Sequence, residues 1–295
     1  MILQKNTIEP SDSRRWLIGH GKSLVFDGLP KLMGVLNLTP DSFYDGGMFQ
    51  DSGAAADHAE RMAAEGAEII DVGGESTRPG ASPVSAKEEA ARVIPVIREL
   101  AGRLPEVIIS VDTYKSEVAR VAVEEGAHVV NDISAGRLDE KMLETVAGLQ
   151  AGYVMMHMRG EPRTMQSDTK YENMIAEIFM FFERGLARAQ EAGLGRERIA
   201  LDPGIGFGKS PFGNYELISR LSEFAPLGRP LLVGPSRKSF MALAGLKTPA
   251  ERLEGTLAAC TVATLSGANI LRVHDVGPVR RAVAVASRFP VPSRL

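Results

Sequence analysis

Short runs rich in Val, Ile and Leu recur along the chain, and between them lie segments whose apolar positions return every three or four residues among Ala, Glu and Arg. The runs fall at 32–36, 68–72, 107–112, 128–132, 153–157, 198–202, 230–234 and 269–274. They are nearly continuous rather than alternating, which is the pattern of strands covered on both faces. Helical spacing occupies 51–65, 87–101, 115–125, 171–191 and 250–265. Four of these segments stop at a glycine (Gly66, Gly126, Gly193, Gly267), where a left-handed cap needs no side chain. Strands joined through helices pair in parallel. Eight such units in about 260 residues are the arithmetic of an α/β fold of the single (β/α)8 TIM-barrel type. A doubly wound open sheet is the alternative arrangement of the same units. Without a Pro/Gly/Ser-rich linker, the chain divides into a short N-terminal extension, 1–30, and one barrel, 31–295.

Composition narrows the function. With 34 Lys and Arg against 37 Asp and Glu, the formal net charge of -3 leaves no excess of base for a nucleic-acid backbone. Apolar residues at 44% and charged residues at 24% are those of an ordinary globular protein. A single cysteine, Cys260, excludes an intramolecular disulfide. The first residues hold no apolar stretch long enough for a signal peptide, and no run is long enough for a membrane span, so the expectation is a cytoplasmic protein with neither nucleic-acid nor membrane partners.

Chemically capable side chains gather where the apolar runs end: Asn37 and Asp41, Asp71 with Ser76, Thr77 and Arg78, Asp112, Asn131 and Asp132, His157, Asp202, Ser236 with Arg237 and Lys238, and Arg272 with His274. In a barrel those ends form one rim, so residues some 240 positions apart would converge on one pocket. Arg272 and His274 are two apart and share a strand face. Gly234 to Ser239 is expected to open a helix after the seventh strand. Loops after strands seven and eight are the usual phosphate site of this barrel, so two arginines, a lysine and hydroxyls there imply an anionic ligand, phosphate or diphosphate.

The stretch from Asp202 to Ser210 is glycine-rich, but Pro203 stands where a Walker loop needs glycine and Lys209 where the dinucleotide fingerprint needs one. It reads as a flexible loop with Phe207 as a stacking face. The chain has no HExxH, no cysteine pair and no closely spaced histidines, which leaves magnesium held mostly by ligand phosphates as the compatible metal. No Gly-x-Ser-x-Gly elbow follows any run, against a serine hydrolase.

Met33 to Phe43, Ile70 to Gly80, Ser110 to Thr113, Asn131 to Ile133, Met156 to Met158, Leu201 to Gly204, Ser236 to Ser239 and Arg272 to Asp275 together closely resemble the dihydropteroate synthase family, in order, from about residue 32 to the end. The resemblance implies condensation of 6-hydroxymethyl-7,8-dihydropterin diphosphate with 4-aminobenzoate to 7,8-dihydropteroate and diphosphate, in folate biosynthesis. It further implies a pterin pocket of Asp112, Asn131, Asp202 and Lys238, and a diphosphate site of Thr77, Arg78, Ser236, Arg272 and His274. Phe43, Pro79, Phe207 and Ser239 would bind 4-aminobenzoate, Asn37 would be a ligand of Mg2+, and the chain would be a homodimer. Asp112, Lys238, Arg272 and His274 would carry the catalysis. The loops Asp41 to Gln50 and Ser76 to Ser85 are the candidates for motion. Pro235 and the Tyr114–Ser116 stretch depart from the family pattern. A corrinoid-linked pterin methyltransferase is the nearest rival, but such an enzyme needs no diphosphate site.

Overall fold

In the computed structural model, which describes residues 15–38, 52–76, 83–162 and 164–289, eight parallel strands form a nearly closed barrel. They are β3 (Lys31–Asn37), β4 (Ile69–Gly73), β5 (Ile108–Asp112), β6 (Val129–Asp132), β7 (Gly152–Met156), β8 (Ile199–Asp202), β9 (Leu232–Val233) and β10 (Ile270–Val273). The ladder runs β8-β7-β6-β5-β4-β3-β10-β9. Its two ends meet through a parallel bridge between Leu201 and Leu231, with Leu201 N donating to Pro230 O at 2.8 Å. Closure selects the barrel over the open sheet, and all eight apolar runs are its strands.

The surrounding helices are α1 (Ser52–Ala64), α2 (Ala86–Arg103), α3 (Ser116–Glu124), α4 (Met142–Leu149), α5 (Met174–Glu191), α6 (Pro211–Ser219), α7 (Leu253–Leu265) and α8 (Val276–Ala286). Periodicity finds the five segments that became α1, α2, α3, α5 and α7, and the four terminating glycines all take positive φ. It does not find α4, α6 or α8. These are short, and α6 and α8 carry Pro or Gly in the first turn, where proline costs no hydrogen bond but weakens the sequence signal. Ser210 caps α6, its hydroxyl accepting from Gly213 N at 3.0 Å.

An antiparallel hairpin, β1 (Arg15–Leu17) and β2 (Ser23–Val25), closes the N-terminal end of the barrel. Trp16, Ile18, Leu24 and Phe26 pack with Met33, Ile69, Ile108, Val129, Val154, Ala200, Leu232 and Ile270, one inward residue from each strand. Trp16 is fully buried and donates from Nε1 to Arg198 O at 2.8 Å. The opposite end of the barrel is where the polar groups sit.

Candidate active site

Alternation along each strand decides what faces the barrel interior. Counting in twos from the apolar floor, the inward positions after Ile69, Ile108, Val129, Ala200 and Ile270 are Asp71, Ser110, Asn131, Asp202 and Arg272, with Asp112 one step higher. Register brings them level: Asn37 pairs with Gly73, Gly73 with Asp112, and Asp112 with Asn131. A Cβ at Gly73 would stand 3.6 Å from Asn37 Oδ1 and 3.8 Å from Asp112 Oδ2, so the missing side chain lets those oxygens share the mouth.

Arg272 links the two carboxylates. Its Nε donates to Asp71 Oδ2 at 2.6 Å and its Nη2 to Asp112 Oδ2 at 2.7 Å. Asp71 also accepts from Ser110 Oγ at 2.6 Å and from Asn131 Nδ2 at 2.9 Å. One N–H of Asn131 Nδ2 goes to Asp71, which orients the amide and leaves Oδ1 to accept from, and the second N–H to donate to, a ligand. The sequence points to Asp71 as a strand-end carboxylate, but its work of orienting Arg272 and Asn131 requires three strands in register to be visible.

Lys238 donates to Ile205 O and stands 4.5 Å from the Phe207 ring centroid. Burial pulls its ammonium down to about 8, with Asp202 opposing the shift. Burial pushes Asp112 up to about 7 against the opposing charge of Arg272. Burial works against charge on Arg272 as well, yet Asp71 and Asp112 outweigh it and hold the guanidinium protonated. Burial raises Asp202, whose Oδ1 accepts from Gly204 N at 2.7 Å. The mouth is therefore a set of opposed charges whose protonation balance burial has shifted, which is how a site holds unusual protonation states ready for chemistry.

On the rim, Ser236 is buried, and its Oγ lies 3.0 Å from His274 Nδ1 and accepts from His274 N at 3.2 Å. The exposed Ser239 begins a six-residue 3₁₀ helix, Ser239–Ala244, preceded by Lys238. The helix expected to open within Gly234 to Ser239 is thus a short 3₁₀ turn that starts only at the last of those residues. Arg237 does not face the mouth as an anion ligand: at φ 56° it donates to both oxygens of Asp275, at 2.8 and 2.6 Å, and to Pro249 O at 3.0 Å. Two other strand-end groups are structural. Asp132 accepts from Ser134 N, Gly136 N and Tyr153 Oη, each at 2.7 Å, and His157 is buried against Lys209. Phe43, Thr77, Arg78 and Pro79, together with most of both loops proposed to move, lie outside the described residues.

A family described as pterin binding enzyme matches residues 33–274. The dihydropteroate synthase of Escherichia coli is 49% identical over 257 residues, which is 87% of this chain and 90% of that one. The chain belongs to the dihydropteroate synthase family. Among solved members, the Yersinia pestis dihydropteroate synthase in complex with a sulfonamide drug superposes with a TM-score of 0.87 at 41% identity, covering 91% of this chain and 96% of that one. The Xanthomonas albilineans dihydropteroate synthase with 4-aminobenzoic acid gives 0.86 at 41% identity, covering 94% and 99%. As in any dihydropteroate synthase, a transferase, the strand ends must accommodate two substrates and a leaving group. The inward row described above is the only part of the barrel, among the described residues, where carboxylates, an amide and cations share one space.

Proposed function

We propose that the barrel mouth condenses 6-hydroxymethyl-7,8-dihydropterin diphosphate with 4-aminobenzoate, forming 7,8-dihydropteroate and diphosphate for folate synthesis. The observation that carries this reading is the interior row of Asp112, Asn131 and Asp202 beside Lys238, in a chain of this family. A pterin edge presents N–H donors next to ring acceptors, and two carboxylates, an amide oxygen and an ammonium match that edge.

In the reaction the C–O bond to the diphosphate breaks, the arylamine nitrogen forms a C–N bond to the same methylene carbon, and the amine gives up a proton. Asp112 stabilises the positive charge that the dihydropterin carries as the C–O bond lengthens. Arg272, with its Nη1 edge left over by the two carboxylates, and the Ser236–His274 pair at the rim receive the negative charge of the leaving diphosphate, joined by Thr77 and Arg78. The neutral arylamine needs no strong base. Phe207 and Ser239, with Phe43 and Pro79, hold the aminobenzoate. Among the described residues no three His, Cys, Asp or Glu gather to hold a metal, and the oxygen there that fits an Mg2+ carried on the diphosphate is Asn37 Oδ1 at the mouth. Bound there, Mg2+ would neutralise charge on the leaving group.

We propose further that the chain works in the cytoplasm as a homodimer. No described helix is long and apolar enough to cross a membrane, and the lone Cys260 is buried and held as a thiol, pushed up to about 12 by burial. For the dimer, the support is the apolar surface on the packed helices α7 and α8, where Val262 and Val285 are exposed, with Phe289 just beyond.

The test of the activity is diphosphate release in the presence of magnesium, the dihydropterin diphosphate and 4-aminobenzoate. Release that requires the amine and yields dihydropteroate is the expected result. Tight pterin binding without release would overturn it in favour of a methyltransferase or an inactive relative, which a corrinoid methyl-transfer assay would separate.

A further inference from the structure

Lys209 is buried at 2% exposure, and no carboxylate lies within hydrogen-bond distance of it among the described residues. Its Nζ instead meets three acceptors: His157 Nδ1 at 2.9 Å, His157 O at 3.0 Å and Phe207 O at 3.0 Å. Three acceptors match the three N–H groups of an ammonium. Burial keeps His157 well below the usual imidazole range, so the ring is neutral and Nδ1 can accept, and burial likewise draws Lys209 well below the usual ammonium range, with Asp202 opposing the shift. Its other face packs edge-on against Phe181 with 4.8 Å between centroids. A buried lysine arranged this way is costly as packing, because a methionine would fill the same space with no polar group to satisfy. What a methionine could not do is join the end of β7 to the loop after β8.

That loop carries Phe207 and the carbonyl that receives Lys238. Gly204, Gly206 and Gly208 take φ of 73°, 84° and 70°, and a Cβ on them would stand 2.0 Å from His157 O, 3.0 Å from Lys238 Cδ and 2.7 Å from Arg159 Cβ. The backbone is therefore threaded between β7 and Lys238 with no space to spare. Gln166 Nε2 donates to Gly206 O at 2.7 Å, Gly206 N to Asn214 Oδ1 at 2.6 Å and Tyr171 Oη to Gly208 O at 2.9 Å. Two lysines hold this loop two residues apart, Lys238 at Ile205 O and Lys209 at Phe207 O.

We propose that Lys209 is a positioning residue for the aminobenzoate end of the site: by tying the Phe207 carbonyl to His157, it sets the Phe207 ring and the Ile205 carbonyl where Lys238 meets both. It acts through the loop and touches neither substrate. The inference rests on the synthase reading above, and its consequence is selective. Asp112 and Asn131 stand on strands the tether does not reach, and of the pterin groups only Asp202, at the start of the loop, and Lys238, at Ile205 O, adjoin it, so loss of Lys209 should loosen the second substrate more than the first.

The test compares Lys209→Met and Tyr171→Phe with the parent by three readouts: amide hydrogen exchange at Gly206 and Phe207, pterin affinity by fluorescence titration, and the KM for each substrate. For Lys209→Met, exchange at both amides quickens, pterin affinity stays within about threefold, and the KM for 4-aminobenzoate rises about 10- to 100-fold, the scale of a small misplacement of a binding group. Tyr171→Phe removes one half-buried tether, at Gly208 O, and shifts exchange and KM the same way by less. Should Lys209→Met fail to fold, the Tyr171→Phe result decides. Unchanged exchange overturns the tether. Faster exchange with an unchanged aminobenzoate KM, or a parallel loss for both substrates, reduces Lys209 to a packing role and overturns the inference. A parent protein that shows no amine-dependent release sinks the synthase reading instead, while the exchange readout still judges the tether.

Discussion

Arg272 is held by Asp71 and Asp112 while Lys238 is held by the loop carbonyl of Ile205, so each cation of the mouth has its position set before substrate arrives. Removing charge from Asp71 should therefore cost both stability and function. Asp71→Asn leaves Arg272 with one carboxylate and sets amide against amide at Asn131, and a loss of about 3–5 kcal/mol in denaturant unfolding is expected for breaking one side of such a buried pair. Lys238→Ala should lower turnover on the order of 10² to 10³, as for loss of a charge-stabilising donor, with the protein still folded by circular dichroism. The protonation states set a pH dependence. With Asp112 raised to about 7 and Lys238 lowered to about 8, kcat/KM falls below the first as Asp112 gains a proton and its negative charge disappears. It falls above the second as Lys238 loses the proton it donates. The expected profile is a bell with its maximum between about 7 and 8, and a flat profile across that range would assign the charges elsewhere. Asp112, Asn131, Asp202 and Arg272 are legible as strand-end residues. The partnership of Asp71 is not, because its three donors come from 39, 60 and 201 residues away.

At the scale of elements, the glycine-rich loop reverses its expectation. Read as a sequence it is a flexible connection, since glycine frees the backbone. In the fold each glycine is needed because a neighbour fills the place of its side chain, and the loop is pinned at Ile205, Gly206, Phe207 and Gly208. Gly204→Ala would place a methyl 2.0 Å from His157 O at φ 73°. It is expected to cost at least about 2 kcal/mol in unfolding free energy, more than the left-handed conformation alone charges an alanine. Arg237 corrects a second expectation: its charge, counted toward an anion site, is consumed by Asp275 at the start of α8, and this holds the loop after β9 in place. Local sequence shows that a cation is present, but not which way it turns.

At the scale of the whole molecule, the hairpin before β3 does more than extend the chain, because Trp16 closes the floor on which the interior row stands. Trp16→Ala should cost about 3–5 kcal/mol by calorimetry or denaturant, with aminobenzoate and pterin affinities preserved in the folded fraction. For the proposed homodimer through the α7–α8 face, the expected outcome is that Val262→Glu sediments as a monomer without a change in the barrel's circular dichroism, and an unchanged sedimentation coefficient would place no dimer there. The sequence alone was enough to set the number of barrel strands, their parallel pairing and the end at which chemistry collects, though not the antiparallel hairpin before them. Each of these follows from hydrophobic period and turn chemistry acting within one strand–helix unit. Closure of β8 on β9, the inward parity that turns Asp71 and Asp112 onto Arg272, and the grip of Lys209 and Lys238 on one loop were decided only in three dimensions. They depend on contacts between residues far apart along the chain, and no local pattern carries the energy of a contact whose partner lies on another strand.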